Sequence, residues 1–301
     1  MDFIFPSEYD NLDFEYFKQL SYTAIQLLKS IPNYVVRSEN SPVLFVGDLH
    51  GYFNCAKIVE SLVEKYNPDL VVFLGDYVDR GKDQFKTLQY VLEFFIKNNH
   101  RVVLLRGNHE FEQSNDWYGF HKELEKHFKS NYEEVKQLCN NIFNYLSLAF
   151  KSGDYIGLHA GIPSFGSLTD LDNIPKPHHS LNSPEANIYN LLMEEIVWND
   201  PRVDVQSFEK STRGGNAKFF GKDSLDHFLN IHNAKHLIRS HESSRGDYSI
   251  FWDGKLIQIF SAAPYPPTNE RPKVKNSTYG FKTFKGKFVI LNDKGEELKT
   301  I

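Results

Sequence analysis

Cysteine is nearly missing from this chain of 301 residues, in which Cys55 and Cys139 are the only two. Two thiols build no disulfide framework and give no thiolate metal set, and their scarcity fits a reducing compartment. Both lie in stretches of helical spacing, where they read as small core residues rather than as a disulfide or a nucleophile. Basic excess is missing as well. The net charge is −5 and the pI lies near 6.2, which removes nucleic acid and anionic membrane from the partner classes. No apolar run approaches the length that spans a bilayer, and the N-terminal "MDFIFPSEYDNLDF" is acidic where a secretory signal is basic. A soluble, cytoplasmic protein without a membrane segment is expected. No repeat of solenoid type occurs.

What is present is ordinary for a globular protein: 41% hydrophobic and 24% charged residues, enough for a large core in one or two domains. Phe14 to Ile31 has helical spacing and ends at Pro32. The text then alternates. "VLFV" from Val43, a helical stretch from Asn54 to Tyr66, "LVVFL" from Leu70, a helical stretch from Gln84 to Lys97, and "RVVLL" from Arg101 predict parallel strands joined by right-handed crossovers. After Tyr145 the apolar runs are shorter, at Tyr155 to Leu158 and His236 to Ile238. "SIFWDGKLIQIF" reads as a hairpin with Asp253-Gly254 as a primed turn, and the last stretch, "GFKTFKGKFVILNDKGEEL", as more antiparallel strand. Ser164 to Asn187, rich in Pro, Ser, Asn and His, predicts a long surface loop, with His178 and His179 solvated.

The run "LVVFLGDYVDRGK" raises the functional question. A turn after a buried strand needs a glycine or an Asn/Asp, not a further acid and an arginine. The other strand ends answer it. "VLFVGDLHG" closes on Asp48 and His50, "VVLLRGNHE" on Asn108, His109 and Glu110, "YIGLHAG" on His159, and "HLIRSHE" on Arg239, His241 and Glu242. Sites in open α/β sheets form at the carboxyl ends of strands, where glycines let the chain turn sharply. Asp, His and Asn make an oxygen and nitrogen ligand set suited to manganese, iron or zinc, and converging carboxylates need cations between them. Two divalent transition-metal ions fit this set: Asp48, His50 and Asp76 for the first, and Asp76, Asn108, His159 and His241 for the second, with Asp76 shared.

"GDLHG", "GDYVDRG", "GNHE", "HAG" and "RSHE", in this order, resemble the signature of the PPP-type serine/threonine protein phosphatases within the calcineurin-like metallophosphoesterases. The resemblance extends through "EEIVWNDPR", "STRGGNAKFFGKDSLDHFL" and "IQIFSAAPY", from about Pro42 to Tyr265. It implies an α/β fold, a β-sandwich of mixed sheets flanked by helices on both sides (αββα). It also implies a single catalytic domain over 1–301, with 1–41 as a helical extension, 42–265 as the motif-bearing core and 266–301 as a C-terminal β segment. Chemistry and resemblance agree on His109 as general acid for the leaving oxygen and Asp79 as the carboxylate that orients it, because the neighbouring Asn108 is taken as a ligand. The resemblance further implies that Arg80 and Arg213 clamp the phosphoryl oxygens, that Asn108 also donates to phosphate, and that Tyr265 hangs over the site. Read alone, Arg213 is a loop salt bridge and Tyr265 is packing. Glu110, Arg239 and Glu242 are read as supports.

The chain departs from the family at Ala160-Gly161, where two glycines are usual. In "SAAPYPPTNERPKVKNS", Tyr265 lacks its usual Asn before and Cys after, and Arg271, Lys273 and Lys275 make a stiff basic loop. The expected activity is metal-dependent hydrolysis of phosphomonoesters on proteins by direct attack of a metal-bridging hydroxide, on phosphoserine and phosphothreonine, with phosphotyrosine left open. The expected partner is a phosphorylated protein, while regulatory subunits are not readable. One alternative is a phosphoanhydride hydrolase of the diadenosine tetraphosphate type, in which the second motif lacks the acid found here at Asp79 and the third ends in Asp rather than Glu110. The other is an inactive scaffold, which would lack a ligand or His109, and none is lacking.

Overall fold

A computed structural model describes residues 13–37, 41–178, 188–243, 249–263, 287–292 and 295–300. Along the chain the strands are β1 (Tyr34–Arg37), β2 (Val43–Val46), β3 (Leu70–Phe73), β4 (Val102–Leu104), β5 (Ala149–Ser152), β6 (Tyr155–Leu158) and β7 (Asp200–Pro201). They continue as β8 (Phe208–Lys210), β9 (Lys218–Phe220), β10 (His236–Arg239), β11 (Ser249–Phe251), β12 (Leu256–Gln258), β13 (Lys287–Asn292) and β14 (Gly295–Thr300). One sheet has the order β14-β13-β2-β3-β4 and another β1-β5-β6-β10-β12-β11, while β7, β9 and β8 form a small third sheet. The predicted crossover strands β2, β3 and β4 are parallel, and β13 adds antiparallel to β2. Both large sheets are therefore mixed.

The pleat explains why these strands are unbroken apolar runs. Alternate residues Val43, Phe45, Leu70, Val72 and Val103 of one sheet meet Phe150, Ile238 and Ile257 of the other in a shared inner layer. Their neighbours Leu44, Val46, Val71, Phe73, Val102 and Leu104 turn the opposite way. There they pack against helices α1 (Phe14–Lys29), α2 (Phe53–Tyr66), α3 (Gln84–Lys97), α5 (Phe120–Phe128) and α6 (Tyr132–Phe143), with the short α4 (Glu112–Tyr118) beside them. On the far side Ile156, Leu158, Leu237 and Leu256 pack against α7 (Ile188–Trp198) and α8 (Lys222–Ile231). The result is the expected αββα order. Phe45 and Phe150 meet edge to face across the sandwich at 5.8 Å, and Gly157 makes room for them, since a Cβ there would lie 2.9 Å from Phe45 Cε1. Each such buried side chain contributes about 1.5–3 kcal/mol. Cys55 and Cys139 are buried in α2 and α6, as expected of core thiols. Among the described residues no helix is long and apolar enough to cross a membrane.

Three expectations are corrected. The hairpin pairs Phe251 with Leu256, so its loop is the four residues Trp252 to Lys255 rather than a two-residue turn at Asp253-Gly254. The Lys255 carbonyl accepts from Leu237 N of β10 at 2.8 Å, which draws the loop toward the neighbouring strand. The segment after Ser164 is more than a surface loop: Leu168–Asn173 is a 3-10 helix with Ser167 and Asp170 as its capping box, and Leu168, Leu171 and Ile174 are buried. Asn33 donates to the carbonyls of both Leu171 and Ile174. His178 is 1% exposed, held by Asn33 Oδ1 at 2.9 Å and Arg106 at 3.3 Å, so polar composition there reflects internal hydrogen bonding rather than solvation. His179 lies outside the described residues. Helix α1 also stops at Lys29, two residues before the expected Ile31.

Helix α3 shows how distant residues complete an element. Asp83 stands at its N-cap without a side-chain bond, and Glu123 of α5 instead accepts from Phe85 N at 2.8 Å and Gln84 N at 3.2 Å. Glu123→Ala should cost about 1–2 kcal/mol, the scale of a lost cap with two orphaned donors. Denaturant unfolding measures it, and an unchanged unfolding free energy would show that water replaces the carboxylate at no cost.

Candidate metal centre and active site

Each candidate ligand sits just past the end of a strand: Asp48 and His50 after β2, Asp76 after β3, Asn108 after β4, His159 after β6 and His241 after β10. The chain turns there through a region that residues with a Cβ rarely adopt. His50, Asp76, Asp79, Arg80 and His241 have φ of +44°, +55°, +67°, +71° and +73°. Glycine admits the close approach between two of these turns, since a Cβ on Gly107 would lie 2.2 Å from Asp76 Oδ1. Glu110 holds the turns in place. Its fully buried carboxylate accepts from Asp76 N and Tyr77 N at 2.8 Å and from Gly107 N at 2.9 Å. Arg106 fastens the Glu110 carbonyl from below through Nε and Nη2.

His159 donates from Nδ1 to the Leu74 carbonyl at 2.8 Å, which fixes the tautomer and leaves Nε2 a bare lone pair. That lone pair faces two acceptors, Asn108 Oδ1 at 2.9 Å and Asp76 Oδ1 at 3.4 Å. His241 Nδ1 joins them, 2.7 Å from Asn108 Oδ1. On the other side of Asp76, His50 donates from Nδ1 to the Val78 carbonyl at 2.9 Å, so its Nε2 points a lone pair toward Asp76 Oδ2 at 3.5 Å and Asp48 Oδ2 at 3.7 Å. Asp48 Oδ2, Asp76 Oδ2 and His241 Nε2 are buried with no hydrogen-bond partner among the described residues.

Protons do not suit this arrangement at neutral pH. Burial holds His50, His159 and His241 well below the ordinary imidazole range, and it pushes Asp48 up to about 6. Asp76 is raised well above the carboxylate range by burial and by the charges of Asp48 and Glu110. Lone pairs that face one another without donors, in a site too dry to charge them, fit divalent cations. The residues therefore suit the two metals read from the sequence. Ligand atoms of Asp76, His159 and His241 lie within 4.8 Å of one another, as do those of His50, Asp76 and His109. The second trio contains His109 where the sequence reading has Asp48, whose Oδ2 approaches from beside His50.

His109 is fixed by other partners. Its Nδ1 lies 2.7 Å from Asp79 Oδ2, and Asp79 is held in turn by Asn115 Nδ2 at 3.0 Å and Phe120 N at 3.1 Å. Its Nε2 lies 3.4 Å from Arg80 Nη2, and Arg80 is exposed. Burial, then the Arg80 and Arg213 charges, lower the imidazole well below its usual value, and burial raises Asp79 to about 7. Arg213, on the loop between β8 and β9, makes the salt bridge that its sequence alone suggested: Nε to Asp200 Oδ2 at 2.5 Å. Its charge still registers at His109 and His241. Tyr265 lies outside the described residues.

Sequence reasoning overlooked several supports. Ser240 Oγ accepts from Asp48 N at 2.8 Å and Ser261 Oγ from Gly47 N at 2.9 Å. Asp200 bonds Arg239 at 2.9 Å as well as Arg213. Only Ser240, inside "RSHE", carried a positional signal; the others become visible once the fold brings them in.

Residues 41–244 match the family Metallophos, Calcineurin-like phosphoesterase. The serine/threonine-protein phosphatase PP2A-like PPG1 of Candida albicans is 31% identical over 252 residues, a match that covers 83% of this chain and 58% of that protein. A protein phosphatase 2A catalytic polypeptide of Dictyostelium discoideum is 30% identical over 249 residues, covering 82% of this chain and 76% of that one. The chain thus spans little more than half the length of the first relative. A solved protein serine/threonine phosphatase from Saccharomyces cerevisiae, with similarity to human phosphatase PP5, superposes with a TM-score of 0.79 at 24% identity. That match covers 96% of this chain and 90% of the other and speaks to the fold. The matched stretch holds every motif whose side chains converge at the centre, and the chain belongs to the PPP-type serine/threonine protein phosphatases of the calcineurin-like phosphoesterase family.

Proposed function

We propose that this chain is a single-domain, cytoplasmic, metal-dependent phosphatase that hydrolyses phosphoserine and phosphothreonine on proteins. The observation that carries the reading is the pair of facing lone-pair sets that share Asp76, beside an Asp79-held imidazole and the exposed Arg80. Two divalent ions, with manganese, iron or zinc suited to the donor set, would polarise the phosphoryl oxygens and lower the pKa of a water between them. Asp48, His50 and Asp76 would hold one, and Asp76, Asn108, His159 and His241 the other.

The remaining steps belong to side chains. Arg80 and Arg213 bind the non-bridging oxygens, and Asp200 fixes Arg213 in advance by its Nε, so that less freedom is lost on binding. His109 keeps Nδ1 on Asp79, which leaves Nε2 as the atom that carries a proton to the leaving alkoxide. A phosphate dianion beside Nε2 supplies the countercharge that favours the protonated ring, against burial and the two arginines. Asp79 and Glu110 are both present and engaged, which counts against a phosphoanhydride hydrolase of the diadenosine tetraphosphate type.

A panel of peptides phosphorylated on serine, threonine and tyrosine, assayed beside diadenosine tetraphosphate, should show turnover of the serine and threonine peptides well above the dinucleotide. Faster cleavage of the dinucleotide would transfer the site to the alternative reading. His109→Asn should lower turnover of a phosphoserine peptide about 10²- to 10⁴-fold, the scale of general acid catalysis, and p-nitrophenyl phosphate much less, because nitrophenolate leaves unaided. An equal loss on both substrates would contradict the acid role.

A further inference from the structure

Tyr118 ends α4 at the mouth of the site and is 38% exposed. It holds Arg80 twice. The Tyr118 carbonyl accepts from Arg80 N at 3.1 Å, and the Arg80 guanidinium lies over the Tyr118 ring at 4.5 Å from its centroid. The same ring lies against His109 at 4.8 Å and 57°, while His50 meets His109 edge-on at 4.7 Å. Asp79 at Nδ1, His50 and Tyr118 together leave the His109 ring little freedom to tilt.

The two clamp arginines are secured differently. Arg213 is tethered by Asp200, whereas among the described residues no carboxylate pairs with Arg80. A carboxylate beside Arg80 would occupy its N–H donors and cancel charge that a phosphate needs. An aromatic face holds the guanidinium plane while every donor stays available at the edge. An arginine with no such contact would have to be immobilised by the substrate itself, at the expense of affinity.

We propose that Tyr118 is a positioning residue, whose ring keeps Arg80 aimed at the phosphate and fixes the plane of His109. This rests on the phosphatase reading. No polar contact of the Tyr118 hydroxyl enters the argument, so the ring alone should suffice.

The test compares Tyr118→Phe and Tyr118→Leu in the full metal-loaded chain. Kinetics on a phosphoserine peptide are measured beside calorimetric binding of inorganic phosphate. Tyr118→Phe should stay within about twofold of the parent in both, whereas Tyr118→Leu should raise KM and the phosphate dissociation constant about 2- to 30-fold, the span of exposed to desolvated cation–π contacts. Leucine keeps the apolar volume, and metal content should not change. An unchanged phosphate constant in Tyr118→Leu overturns the proposal, and so does an equal rise in Tyr118→Phe, which would move the effect to the hydroxyl. Phosphate binding is read without turnover. A parent chain inactive on every phosphopeptide therefore refutes the phosphatase reading, while the titration still judges Tyr118.

Discussion

Acceptors that face acceptors are the constraint on which this molecule turns. His159 Nε2, Asn108 Oδ1 and Asp76 Oδ1 crowd together on one side of Asp76, and His50 Nε2 with two carboxylate oxygens on the other, all of them buried. Such a cluster is unstable as it stands, because each group has lost water and gained no donor. Backbone carbonyls of Leu74 and Val78 take the one N–H that two of the imidazoles have, so tautomerism cannot relieve it. The arrangement makes sense as a place prepared for cations, and the surrounding structure can be read as what keeps it prepared.

That preparation is expensive in backbone terms. Residues in the left-handed region cost on the order of 1–3 kcal/mol each, and His50, Asp76, Asp79, Arg80 and His241 all lie there. The sandwich supplies the rigidity. Its strands are buried on both faces, so their ends cannot drift, and Glu110 ties three backbone N–H groups of two neighbouring turns to one carboxylate. A change at Glu110 would loosen the bridge residue Asp76 without touching a ligand atom.

Much of this was legible in the sequence, for a physical reason. A strand buried on both faces must be a continuous apolar run, and charged residues that interrupt such a run at the same end of several strands have to meet. Asp48, His50, Asp76, Asn108, His159 and His241 were found that way, and they converge. Glu123 as the cap of α3, Ser240 and Ser261 under the Asp48 turn, and the burial of His178 were not legible, because each depends on a partner far along the chain. The hairpin loop was misread for a related reason: Asp253-Gly254 has the right local chemistry, but a bond from the next strand decides the geometry.

The claim at the centre of this account is that Asp76 is shared between two cations. Anomalous diffraction from crystals of the manganese-loaded chain, collected at the manganese edge, tests it most directly. Two peaks about 3.5–4 Å apart are predicted. One should be ligated by Asp48, His50 and Asp76, and the other by Asp76, Asn108, His159 and His241. A single peak, or a pair in which Asp76 touches only one ion, would contradict it.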